Sequence, residues 1–152
     1  MSLEDAFAEA ATGAFYVSEA DYEPVFMRAT PADPEAPLTS DAIGELFRAQ
    51  ILEGMVGSTW DEIIVELDSG DLTGDLAQLD SDEDEWMRES TEAWGRIDSL
   101  FDANLSDRVE FIVGPVGDDG NMQEDWGFYL QGVVGRTADG DVVGLFVGTV
   151  WT

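Results

Sequence analysis

Thr152 closes the sequence directly after an apolar run, Phe146-Val147-Gly148-Thr149-Val150-Trp151. A hydroxyl and a free carboxylate therefore sit together at the tip of a strand-like segment, where chain ends are ordinarily frayed and polar. Such a tip is suited to probing another protein's pocket. Trp151 alternates with Val150, so one of the pair faces outward. The other oxygen donors are carboxylates. Asp80-Ser81-Asp82-Glu83-Asp84-Glu85 is dense enough to suggest Ca²⁺, but it lacks the glycine and ligand spacing of an EF-hand loop, and a solvated acidic loop explains it better. Asp118-Asp119-Gly120-Asn121 has the same flavour and reads equally well as a hairpin turn. Glu19 follows Ser18 in a polar connection after an apolar run, a position that points to solvent. Trp86, just beyond the acidic block, is either a packing residue at a helix start or an exposed aromatic anchor; core packing is the simpler reading.

The catalytic inventory is thin. The chain has no histidine and no cysteine, so the usual general base, the commonest metal ligand and thiolate chemistry are all missing. No phosphate loop, nucleophile elbow or zinc spacing occurs. Nothing calls for a cofactor, and carboxylate-only catalysis is what remains. The 152 residues form one expected domain, 1–152, whose 44% hydrophobic content is enough for a core. The acidic start Met1-Ser2-Leu3-Glu4-Asp5 and the lack of a long apolar run argue for a cytoplasmic protein with no membrane partner. Thirty-four acids face six basic residues, all arginine, for a net charge of −28. That charge fits mimicry of a nucleic-acid backbone. It fits adaptation to a salt-rich, halophilic cytoplasm better, because the acids are spread along the chain and lysine is absent. At about 1 M salt the Debye length is about 3 Å, so a partner would be held by packing and short hydrogen bonds.

The elements that must position these residues follow from periodicity. Leu3, Phe7 and Ala10-Ala11 mark a first helix stopped by Gly13, and Ala14 to Val17 is a brief extended run. Val25 to Arg28 reads as a strand before a loop with Pro31, Pro34 and Pro37. Thr39 or Ser40 caps a second helix through Ile43, Leu46, Phe47 and Ile51, ended by Gly54 and Gly57. Thr59-Trp60-Asp61-Glu62 resembles a helix start running into Ile63, Ile64, Val65 and Leu67, with a strand nearly as well supported. Asp68 to Glu85 reads as an irregular acidic loop with one helical turn at Leu76 to Leu79. Ala93, Trp94, Ile97, Leu100, Phe101 and Leu105 form a clean stripe on a helix from Trp86 to Leu105. Strands are expected at Val109–Val113, Phe128–Val134 and Val142–Val150, with turns at Gly117–Gly120 and Ala138–Gly140. The fold class is α+β, with helices packed on a mostly antiparallel sheet.

In this order the segments resemble the nuclease A inhibitor family. The likeness rests on Phe15-Tyr16-Val17-Ser18-Glu19-Ala20-Asp21-Tyr22, on Glu66-Leu67-Asp68 with Asp84-Glu85-Trp86 and a helix ending Asn104-Leu105, and on Gly135-Arg136-Thr137, Gly140, Gly144-Leu145, Val150 and Thr152. It spans Asp5 to Thr152. The resemblance implies an α/β/α sandwich that lays an acidic edge across the substrate groove of a sugar-non-specific nuclease. It implies that Thr152 enters the active site and reaches the partner's catalytic Mg²⁺, a hard cation that prefers oxygen. Glu19 would meet a substrate-binding arginine, and Trp86 would be an anchor. This chain differs in carrying Trp151 where the family commonly has an acid, and in the insertion Gly117 to Asp125.

Three functions are therefore weighed. The first is an inhibitor, monomeric when free, that occludes a Mg²⁺-dependent nuclease and touches no nucleic acid itself. The second is an acidic nucleic-acid mimic or adaptor that binds another DNA-handling protein by charge. The third is a carboxylate-dependent hydrolase, which requires a pocket of paired carboxylates with raised pKa.

Overall fold

The computed structural model describes residues 2–16, 22–78, 84–123 and 127–151, the side chain of Trp151 excepted. Five strands make one antiparallel sheet in the order β1-β5-β4-β3-β2: β1 (Val25–Ala29), β2 (Ile63–Asp68), β3 (Ser106–Pro115), β4 (Gly127–Arg136) and β5 (Val142–Trp151). Side chains alternate between the two faces of each strand, and each face carries its own apolar cluster. On one face Val133, Val143, Leu145 and Val147 pack with Phe7 of α1 (Leu3–Ala10), Leu76 of α4 (Leu72–Ala77) and Trp94, Ile97 and Phe101 of α5 (Glu85–Asn104). On the other, Phe111, Val113, Leu130, Val134 and Phe146 pack with Ile43 of α2 (Ser40–Leu46), Phe47, and Ile51 of α3 (Arg48–Gly54). The protein is α+β, with helical layers on both faces of an antiparallel sheet.

Local chemistry accounts for the elements. The α5 stripe is buried as its spacing predicts: Ala93, Ile97 and Phe101 are 0% exposed and Trp94 is 1%. Each large side chain so covered contributes about 2 kcal/mol of transfer free energy. Ser2 and Thr39 cap α1 and α2 by accepting the N–H groups of Asp5 and Ala42. Gly120 and Gly140 take the left-handed conformation that closes the two expected turns, with φ of 82° and 88°.

Four expectations change. The second helix is two helices, interrupted at Phe47, whose φ of −115° and ψ of 20° leave the helical region. The helix start at Thr59 is real but brief. Thr59 and Glu62 exchange the bonds of a capping box around a single 3₁₀ turn, Trp60–Glu62. Ile63-Ile64-Val65 then runs as β2, where their branched side chains fit a pleated surface. In the acidic stretch, Asp71 caps α4 by accepting the Gly74 N–H at 3.2 Å, so the helical turn begins four residues earlier than expected. Trp86 is not core: it is 45% exposed in the first turn of α5.

Candidate functional site

Three segments far apart in sequence meet at one end of the sandwich. The chain after α1 is fixed to the first half of α5. Phe15 N–H donates to Ser90 Oγ at 3.0 Å, and the Phe15 carbonyl accepts from Ser90 Oγ at 3.1 Å and from Trp94 Nε1–H at 2.9 Å. Buried donors and acceptors left unpaired are costly, so these bonds hold the segment in place. Tyr16 and Tyr22 then form an isolated antiparallel bridge, with Tyr16 N–H donating to the Tyr22 carbonyl at 2.9 Å. The two rings rest on opposite faces of the sheet, Tyr16 against the cluster of Val133 and Val147 and Tyr22 against Phe128. Tyr16 Oη accepts from Gln131 Nε2 at 3.3 Å. Tyr22 stands edge-on to Phe128 with ring centroids 5.3 Å apart. Its ring also closes over Gly148, where a Cβ would lie 3.0 Å from it.

Those contacts place the end of β5 beside the same base. Phe128 pairs with Val150, and Gly127 with Trp151. β1 pairs with β5 only from Val142 to Phe146. From Val147 onward, among the described residues, the side of β5 away from β4 pairs with no strand. Trp86 precedes Ser90 by four residues, about one turn or ~6 Å along the helix axis.

Of the residues singled out from sequence, Glu19 and Thr152 lie outside the described residues, as does the side chain of Trp151. The structure describes their neighbours: the flanks of 17–21 are tied together at Tyr16 and Tyr22, and β5 runs in register to Trp151. Most of the acidic block, 80–83, is also outside. Asp118–Asn121 is a turn whose Asp119 carboxylate is already used, accepting from the Asn121 backbone N–H at 3.0 Å and from its side-chain amide at 3.4 Å. Those bonds hold the Asp119 carboxyl below its ordinary range. Among the described residues no group of three or more acids is arranged to hold a metal ion.

One feature of chemical interest was not singled out from sequence. A cavity of about 330 Å³ opens beside β2 and α4, lined by Asp68, Asp71, Asp75, Tyr16, Gln131 and Glu110. Glu110 Oε1 accepts the Leu72 N–H, and Oε2 is buried without a partner among the described residues. Desolvation, above all, pushes the Glu110 carboxyl up to about 7. The Leu72 bond and Arg108 oppose the rise, while Asp71 and Asp68 add to it. Arg108 is drawn away, donating to Thr73 Oγ1 at 2.8 Å and pairing with Asp98 and Asp102 at 3.4 Å each. The sequence signal is a lone acid inside the apolar run Val109-Glu110-Phe111-Ile112-Val113.

Compared with known proteins, the chain matches no family model and no curated protein. Among the described residues no helix is long and apolar enough to cross a membrane.

Proposed function

We propose that this protein inhibits a Mg²⁺-dependent, sugar-non-specific nuclease by occluding its active site, with Thr152 directed at the partner's Mg²⁺. The observation that carries the reading is the convergence just described. The base of the segment bearing Glu19, the exposed Trp86 and the strand leading to Thr152 share one end of the sandwich, and each lies within one of the three segments in which the chain resembles nuclease A inhibitors. An exposed tryptophan beside a hydrogen-bonded, pre-ordered scaffold has the character of an interface anchor, because little freedom is lost on binding. Glu19 is assigned to an arginine of the nuclease, and Trp151 to the rim of the contact.

The test is nuclease inhibition in high-salt buffer, comparing the chain ending at Thr152 with the same chain carrying one further glycine. Loss of inhibition with unchanged unfolding behaviour supports the proposal; equal inhibition by both overturns the role of Thr152.

The adaptor reading draws on the charge. Arg28, Arg108 and Arg136 form four ion pairs, and six arginines in all face thirty-four acids, so most carboxylates have no cation to neutralise them. It predicts binding that weakens steeply with salt and ignores the added glycine. The hydrolase reading has one supporting feature, the raised Glu110 carboxyl in a cavity. Its weakness is access: one Glu110 oxygen is committed to Leu72 and the other is shut off from solvent, so neither is presented to a substrate.

A further inference from the structure

β2 is an edge strand whose outer side meets no strand among the described residues. Which of its groups are unpaired follows from the ladder. The Val116 N–H donates to the Glu62 carbonyl at 2.9 Å, in continuation of the register Ile63↔Pro115 to Asp68↔Glu110. Residues along an antiparallel edge turn their N–H and C=O alternately toward and away from the neighbour. Ile64, Glu66 and Asp68 are thus bonded to β3, while Ile63, Val65 and Leu67 turn theirs outward; the Ile63 N–H already donates to the Trp60 carbonyl, so the open groups centre on Val65 and Leu67. The strand has no proline, lysine or bulge, the common devices that blunt an edge. Leu67 is 48% exposed.

The side chains flanking this edge differ by face. Val65 and Leu67 share the face of α2, where a groove of about 370 Å³ runs between β2 and α2 with Trp60 in its wall and Asp41 and Glu45 beside it. Glu66 and Asp68 share the opposite face with Glu110, beside the acidic cavity. Cross-strand partners lie on the same face. A strand added here would set apolar side chains opposite Val65 and Leu67, and cationic ones opposite Glu66 and Asp68. A second copy of β2 meets the opposite condition, since its own carboxylates would lie against these.

We propose that the outer edge of β2 accepts an extended segment of another protein, alternating basic and apolar residues, as a sixth strand of the sheet. Main-chain bonds to Val65 and Leu67 supply the attachment, and the two unlike faces supply the selection. The acidic cavity beside this edge shares Tyr16 with the end of the sandwich assigned above, but the edge itself does not depend on that assignment.

The probe is a capped eight-residue peptide of alternating arginine and valine. Controls are a peptide with the same residues in block order and one with glutamate in place of arginine. Amide chemical shifts and hydrogen exchange of the intact protein are followed in moderate salt. The expected result is binding of the alternating basic peptide alone, with shifts and protection concentrated at Val65 and Leu67. Leu67→Pro removes an outward N–H without touching the β2–β3 ladder, and its expected effect is about a tenfold loss of affinity, as for one or two lost hydrogen bonds. If that variant fails to fold, the double variant Glu66→Lys, Asp68→Lys decides: it should release the arginine peptide and take up the glutamate one. Equal binding of alternating and block peptides, shifts centred away from β2, or no exchange of preference on charge reversal would each overturn the proposal.

Discussion

Replacing Glu110 by glutamine should change how stability depends on pH, in a direction the structure fixes. The carboxyl rises from an ordinary 4.5 to about 7 on folding, so the folded protein holds this proton more tightly than the unfolded chain does. The associated stability is fully present below pH 4.5 and is lost as pH climbs through about 7. Taken at face value the shift is about 3.4 kcal/mol. The residue is only partly shielded from water, and solvent screening reduces the expected figure to about 1–2 kcal/mol. Glutamine can still accept the Leu72 N–H with its amide oxygen, but it leaves an amide group where Oε2 has no partner, a cost of about 1 kcal/mol at any pH. The variant should therefore be the less stable protein at pH 4.5. By pH 8 it should have gained about 1–2 kcal/mol on the parent. Urea unfolding in 2 M NaCl at pH 4.5, 6, 7 and 8 measures this, and only the difference between the two proteins matters, because the other acids titrate in both. A difference constant across that range within about 0.3 kcal/mol would refute the reasoning; it would mean that Glu110 ionises as freely when folded as when unfolded.

Two substitutions separate stability from binding. Trp86→Ala should change unfolding free energy by no more than about 0.5 kcal/mol, since the ring is 45% exposed. Under the proposed function it should weaken nuclease inhibition by at least about thirtyfold, the loss typical of an aromatic anchor; unchanged inhibition would remove Trp86 from the interface. Gly144→Ala should cost about 3 kcal/mol in urea unfolding, because the new Cβ would run into the Val133 carbonyl and lie 2.8 Å from the Val134 Cα, both backbone atoms that cannot turn aside.

What the sequence revealed depended on whether local signals and tertiary packing agreed. Trp94, Ile97 and Phe101 lie on a 3.6-residue stripe and are buried on it; Gly120 and Gly140 mark turns that only a left-handed residue closes without strain. Thr59 to Glu62 shows the opposite case. The capping signature is genuine, but it competes with β-branched Ile63-Ile64-Val65 and with a β3 strand that needs a neighbour, and the helix ends after one turn. α4 was obscured by its acidic surroundings and by Gly70 and Gly74, although Asp71 carried the cap. By spacing, Trp86 falls on the face of α5 that holds Ser90 and Ala93, and periodicity alone cannot say where along a helix its cover runs out. The same holds for Glu110. An acid in an apolar strand can be read from sequence, but the α4 terminus that shelters it comes from 38 residues away.

The position of β5 in the sheet also bears on how the chain assembles. β4 and β5 meet across a short turn, with Arg136 paired to Val142. β1 reaches the sheet only through β5, and its Val25 pairs with Phe146, 121 positions later. Closing that span costs about 2–3 kcal/mol more chain entropy than closing the β4–β5 turn. β1 has no other strand to bond, and its pairing with β5 spans more of the chain than any other pairing in the sheet. The seat of Tyr22 on Gly148 and Phe128 likewise needs β4 and β5 side by side. The end of the molecule assigned to partner capture is therefore completed only when the most distant parts of the chain have found each other.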